Sequence, residues 1–76
     1  MEMGKQIKIP NFTRREIEFF LRECNFTEQE TEMFNLRNKD YTLEQAAEEM
    51  NISCKTAYRI NKRVKTKIIK VLSYDD

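Results

Sequence analysis

The side chains that could do chemistry in this sequence are its charged groups, because most of the residues used in catalysis are missing. The 76 residues include no histidine, no tryptophan and only one glycine. Without histidine, neither a Ser/His nor a Cys/His nucleophile can form, and a single glycine cannot build a loop that cradles phosphate groups. The sequence therefore predicts no enzyme, no cofactor and no small-molecule substrate.

The two cysteines, Cys24 and Cys54, lie 30 positions apart. Two thiols without histidine do not make an ordinary zinc site, so no metal is expected. The sequence shows no secretory signal, and no apolar run approaches the roughly 18 residues of a membrane span. We therefore expect free thiols in a cytoplasmic protein with no membrane partner. Cys54 follows the predicted start of a basic helix, and we interpret it as a small, buried or half-buried residue. A redox-sensitive thiolate is the alternative.

Charge is strongly segregated along the chain. Residues 1–50 hold seven basic and eleven acidic side chains, whereas residues 51–72 hold seven basic side chains and no acidic one. Two terminal aspartates bring the net charge of the whole chain to +1. A basic segment of this kind favours a polyanion such as nucleic acid as its partner. The alternative is a solvated lysine-rich helix, whose C-terminal dipole favours cations in any case.

Repeated helix-start signals predict the elements that position these charges. A threonine followed three residues later by Glu or Gln has the pattern of a capping box, which satisfies backbone N–H groups at a helix start. The pattern recurs three times, and a serine precedes the last predicted helix. The residues are Thr13 and Glu16, Thr27 and Glu30, Thr42 and Gln45, and finally Ser53.

The apolar spacing after each start predicts the fold class. Helices are expected at about 14–24, 28–38, 43–50 and 54–72, each with apolar residues at helical intervals. Residues 12–76 should therefore form a single helical domain of the all-α class, a small three- to four-helix bundle. Residues 1–11 hold the only glycine and the only proline, and they are predicted to be a flexible or extended N-terminal arm.

Residues 42–65 have the pattern of a helix-turn-helix. This motif needs small or apolar residues where two helices approach across a short turn, and often a left-handed residue at the turn's first position. Asn51 stands at that position and tolerates the conformation well among non-glycine residues. An ordinary helical hairpin is the alternative, because core packing alone would produce the same spacing. The apolar positions are Ala47, Met50, Ile52, Ala57 and Ile60.

The outward positions around the last predicted helix favour DNA over a plain hairpin. They carry hydrogen-bond donors and a phenol but no carboxylate, as expected of a helix that enters the major groove. We expect Lys55, Thr56 and Arg59 to contact base edges. Sugar–phosphate contacts are expected from a second set: Ser53, Tyr58, Lys62 and Arg63. Thr42, at the preceding helix start, is expected to donate to a phosphate.

Residues 26–72 resemble region 4 of bacterial sigma factors and the related LuxR-type domains. The resemblance rests on an acidic, threonine-started helix, on the segment YTLEQAAEEMNIS at residues 41–53, and on the basic helix that follows. It implies sequence-specific binding of double-stranded DNA and a role in transcription regulation. The upstream regions of a sigma factor are lacking, so the resemblance implies a small stand-alone regulator, plausible for a phage or mobile element.

Two further expectations concern partners. The dense glutamates of the acidic half predict, as an alternative function, a protein-interaction adaptor that binds RNA polymerase or another nucleic-acid enzyme; these are Glu28, Glu30, Glu32, Glu44, Glu48 and Glu49. The apolar end of the last helix either packs on the first helix or forms a homodimer, which would let a small reader bind a pseudo-palindrome. Its residues are Ile68, Ile69, Val71 and Leu72.

Overall fold

The computed structural model describes residues 12–74, which form four α-helices and no strand. They are α1 (Arg14–Glu23), α2 (Glu28–Asn38), α3 (Leu43–Met50) and α4 (Cys54–Tyr74). The predicted all-α bundle is therefore confirmed. α1 ends one residue before the predicted end, and α4 continues two residues beyond it. The predicted arm at residues 1–11 lies outside the described residues.

All three predicted capping boxes form. In the first, the Thr13 N–H donates to Glu16 Oε1 at 2.9 Å, and the Glu16 N–H donates to Thr13 Oγ1 at 3.2 Å. The boxes at the starts of α2 and α3 repeat this exchange with distances of 2.9–3.2 Å. Each box satisfies two backbone donors that a bare helix end would leave open, and a capping side chain of this kind stabilises by about 1 kcal/mol.

The three connections between helices each contain one residue with positive φ. Asn25, Asp40 and Asn51 have φ values of 54°, 71° and 61°. The left-handed region is costly for most L-residues and least so for Asn and Asp, whose side chains tolerate it. The chain therefore turns sharply after α1, α2 and α3 without using glycine. After α3, the Asn51 N–H donates to Glu48 O at 3.1 Å and the Ile52 N–H donates to Ala47 O at 2.9 Å.

α4 packs against each of the other three helices, and α2 packs against both α4 and α3. Met33 and Phe34 of α2 are fully buried. α4 contributes an apolar stripe of Ala57, Ile60, Val64 and Ile68, and α3 contributes two alanines that let it approach closely. α1 is held largely by aromatic packing, since Phe20 lies 6.3 Å from Phe34 between ring centroids.

A buried ion pair joins α2 to α4. Lys67 Nζ lies 2.6 Å from Glu30 Oε1, and the Glu30 side chain is 5% exposed while that of Lys67 is 33% exposed. The same oxygen accepts from the Thr27 N–H at 3.0 Å, and the ammonium also donates to Asn25 O at 3.2 Å. The prediction that Glu30 belongs to an exposed acidic surface is therefore wrong. The equivalent capping residues Glu16 and Gln45 are exposed, so it is the approach of α4, with Lys67, that encloses Glu30.

The pKa of Glu30 records this environment. Burial is the largest influence and by itself would raise the pKa of the carboxyl. The hydrogen bonds from Lys67 and from the Thr27 backbone, together with the positive charges of Lys67 and Arg63, outweigh it. The pKa of Glu30 consequently lies below its ordinary value of 4.5, and the carboxylate is ionised at neutral pH.

The left-handed turn at Asn51 can be tested by substitution. Asn51→Ala should lower the free energy of unfolding by about 1 kcal/mol, because alanine disfavours positive φ, while Asn51→Gly should be neutral or stabilising. Asn35→Ala is the matched control, since Asn35 is exposed within α2 and alanine favours helix there. Urea denaturation gives the three values. Equal losses for Asn51→Ala and Asn51→Gly would contradict the conformational explanation.

The Glu30–Lys67 pair should make the free energy of unfolding depend on pH. Lys67→Met should cost about 2 kcal/mol because it leaves a buried carboxylate without its main partner, with the exposure of Lys67 limiting the loss. Glu30→Gln should cost less, since an amide oxygen still accepts from Thr27 and Lys67.

The sign of the pH dependence follows from the lowered pKa of Glu30. The stabilisation is fully present above the unfolded-state pKa near 4.5 and is lost as the pH falls through the lower folded-state value. Urea denaturation at pH 7 and at pH 3 should therefore show a smaller acid loss in Glu30→Gln than in the unsubstituted protein. The same acid loss in both proteins would rule out this linkage.

Candidate nucleic-acid interface

The exposed side of α4 presents donors and cations without a carboxylate. Seven of the eight predicted DNA-binding residues lie on α4 or at its start, and all eight are exposed. Among the large hydrophobic residues whose burial is described, Tyr58 is the most exposed, at 59%. Among residues 12–74, Lys55, Arg59, Lys62 and Arg63 have no carboxylate at salt-bridge distance. None of these four cations is therefore held in an ion pair among residues 12–74, although the charge of Arg63 lies near enough to Glu30 to help lower the pKa of that carboxyl.

The turn between α3 and α4 is what directs this side outward. Ala46, Ala47 and Ala57 are buried at the contact between the two helices, so the helices pack closely there. Ile52, in the turn, is half-buried against the same core. With Ala57, Ile60 and Val64 facing inward, the helical period places Lys55, Thr56 and Arg59 toward solvent.

The hydroxyl groups at the start of α4 bond to each other. Ser53 Oγ accepts from the Thr56 N–H at 3.1 Å and donates to Thr56 Oγ1 at 3.0 Å. Ser53 therefore uses its only hydroxyl proton within the cap, while the Thr56 proton remains free to meet a ligand. In this arrangement Thr56 is the better donor of the two predicted contacts.

Thr42 stands apart from the other seven residues, at the start of α3. Its Oγ1 accepts from the Gln45 N–H at 3.1 Å, which leaves the hydroxyl proton available to an acceptor. The exposed side chains that follow on α3 include Glu44, Glu48 and Glu49. The positive interface on α4 and the negative surface on α3 are thus carried by neighbouring helices.

A depression of about 450 Å³ opens between α2 and α4 at the middle of the basic side. Three of its lining residues, Arg59, Lys62 and Arg63, are among the predicted DNA-binding residues. Thr66 and Lys67 are not, because the predicted contacts end at residue 63, although Arg59, Arg63 and Lys67 recur at four-residue intervals on one side of the helix. The lining consists of Glu30, Arg59, Lys62, Arg63, Thr66 and Lys67.

A second, larger groove of about 740 Å³ runs between α1 and the C-terminal half of α4. It mixes apolar side chains such as Phe19 and Val71 with charges of both signs, Glu23 and Lys70 among them. This lining brings no set of like groups together, so it does not indicate a particular ligand. Lys67 lines both the groove and the depression and separates the two.

The two thiols differ in their surroundings. Cys24 is buried at the end of α1, and burial is the main cause that raises the pKa of its thiol to about 11. The charge of Glu23 adds to this shift and that of Lys67 opposes it. Cys54 is exposed in the first turn of α4, so the prediction that it is buried or half-buried is wrong. The turn residue Ile52, and not Cys54, fills the space beside the core.

Other kinds of site find no support in the described part of the chain. Residues 12–74 contain no group of three or more Cys, Asp and Glu side chains that could hold a metal ion. None of the four helices is both long and apolar enough to cross a membrane.

Comparison with known proteins adds no family. No protein-family model matches the chain, and neither a curated protein nor a solved structure is similar to it at a significant level. The resemblance to sigma factor region 4 remains a prediction from the sequence, and function has to be argued from the surface itself.

The difference between the cysteines predicts selective alkylation. Iodoacetamide at pH 8 should modify Cys54 in the folded protein while Cys24 reacts only after denaturation, because Cys24 is 5% exposed and remains a neutral thiol. Peptide mass spectrometry locates the adduct, and protein alkylated in urea is the control. Modification of Cys24 as fast as Cys54 in folded protein would contradict the described burial.

Proposed function

We propose that this protein binds double-stranded DNA through α4 and regulates transcription. The observation that carries the proposal is the exposed, carboxylate-free side of α4, whose four cations have no ion-pair partner among the described residues. A surface of this kind attracts a polyanion and gains affinity by releasing the counterions of DNA. The buried contact of α3 with α4 supports a helix-turn-helix, because it leaves the N-terminal half of α4 open to a groove.

The proposed contacts divide along α4. Lys55 and Thr56, in its first turn, face base edges in the major groove. Tyr58, Lys62 and Arg63 reach sugar–phosphate oxygens at the sides of the groove, with Ser53 beside them. Thr42 and the start of α3 meet a phosphate where that helix crosses the backbone. Such a protein acts in the cytoplasm of a bacterial cell.

A homodimer is proposed as the form that binds an operator. One small helix-turn-helix reads few base pairs, and two copies on a pseudo-palindrome double that number. Ile69 and Leu72 support this form because they stay exposed on α4, at 39% and 46%. Val71 is half-buried and Ile68 is fully buried, so the apolar end of the helix serves the core as well.

A second candidate function is supported by the charges on α2 and α3. Five of the six glutamates expected in the acidic surface are exposed, Glu30 being the exception. Three of them follow one another closely on α3. An adaptor would bind RNA polymerase through these carboxylates. The same side chains are repelled by the negative charge of DNA, so they do not belong to the DNA interface. The two functions call for separate surfaces, so one experiment can separate them.

Removing cations from α4 should weaken DNA binding in a salt-dependent way. Arg59→Ala combined with Lys62→Ala should lower affinity for duplex DNA about 10- to 100-fold near 0.1 M salt and reduce the salt slope by about two. Arg14→Ala combined with Arg15→Ala is the matched control, since it removes two exposed charges from α1. Fluorescence anisotropy across a salt series measures both. No salt-dependent binding by the unsubstituted protein would exclude the proposal.

Mapping of the tagged protein across its host genome distinguishes the two candidates with the same variants. Discrete peaks that share a motif and disappear in the α4 variant indicate a sequence-reading regulator. Peaks at promoters without a motif, unchanged in the α4 variant, indicate an adaptor that travels with polymerase. In that case the interface lies on α2 and α3.

A further inference from the structure

We infer that the depression between α2 and α4 is a phosphate-binding site, and that Arg59 contacts a backbone phosphate of DNA there and does not read a base edge. The inference rests on the proposed function for its ligand, and it revises the role that the sequence predicts for Arg59. It is carried by the shape of the depression and by the charges that line it.

The charges of the depression are unbalanced toward the positive. Four of its lining side chains are cationic and one is anionic. That one, Glu30, is already bound by Lys67 at 2.6 Å and by the Thr27 N–H at 3.0 Å, both through Oε1. Arg59, Lys62 and Arg63 are left as like charges around one opening, which is an arrangement that an anion relieves.

The donors left over suit an oxyanion. Both guanidinium groups can only donate, and Lys67 retains one N–H after its bonds to Glu30 and Asn25. Thr66 donates its hydroxyl proton to Lys62 O at 2.9 Å, so the donors available to an anion are those of the cationic side chains. A phosphate group, with acceptor oxygens only, matches this lining.

Shape separates a phosphate from a base. Base edges lie at the floor of a major groove that is about 8.5 Å deep, so a side chain reads them from a convex part of the protein. Arg59 lies with Arg63 and Lys62 around a shallow depression that is open to solvent. A backbone phosphate projects from the duplex and can rest against such a depression. Base reading then falls to the first turn of α4, at Lys55 and Thr56.

The test compares single variants on a panel of duplexes that differ at one base pair each. Arg59→Ala and Arg63→Ala should each weaken binding about 5- to 10-fold, by the same factor on every duplex, and should each lower the salt slope by about one. Arg59→Lys should retain most of the affinity, because a phosphate accepts a point charge whereas bidentate guanine recognition does not.

Lys65→Ala is the matched control on the same helix. Lys65 stands two residues after Arg63, which turns its side chain by about 200° around the helix and away from the depression. A loss with Arg59→Ala that is concentrated on one base pair would overturn the inference while leaving DNA binding intact. A loss no larger than that of Lys65→Ala would overturn it as well.

If no duplex binds, a titration with inorganic phosphate tests the phosphate site by itself. In nuclear magnetic resonance spectra, the side-chain Nε–Hε signals of Arg59 and Arg63 should shift at low ionic strength, while those of Arg14 and Arg15 on α1 should not. Such a response supports a phosphate site that serves another phosphorylated ligand. Equal responses at all four arginines would reject the phosphate site.

Discussion

The ammonium group of Lys67 connects α4 to two other parts of the molecule. It binds the carboxylate of Glu30 in the first turn of α2 and the carbonyl of Asn25 in the connection before it, while belonging to α4 itself. The same carboxylate oxygen caps α2 through Thr27. The start of α2, its entry turn and the middle of α4 are therefore fixed relative to one another by a single polar cluster. The depression and the cations around it depend on that alignment.

The sequence was sufficient to predict the parts of the fold that depend on neighbours along the chain. Each capping box joins residues three positions apart, and the left-handed turn at Asn51 depends on one side chain, so both could be predicted locally. The burial of Glu30 could not, because its partner lies 37 residues further on. A capping glutamate is usually solvated, and only the approach of α4 encloses this one.

In the candidate interface, too, features set by neighbouring residues could be predicted, whereas features formed by two distant helices could not. Exposure of the basic residues followed from helical periodicity, since the inward positions of α4 were already known from their apolar character. The depression did not follow, because it is formed jointly by α2 and α4. The exposure of Cys54 was also missed. Its position in the first turn precedes the point where α3 and the core enclose α4, and the half-buried Ile52 occupies the inner position instead.

The short connections between the helices, which are determined locally, affect how fast the chain folds. Three of the four helices begin in a reciprocal cap, and each link between helices spans three or four residues with one side chain suited to the left-handed turn. Chains whose contacts are mostly local lose little entropy before those contacts form, and helical bundles of this kind fold in roughly microseconds to milliseconds. A domain built in this way recovers quickly after unfolding. The free energy of unfolding sets how often the binding surface is lost, and rapid refolding makes each loss brief.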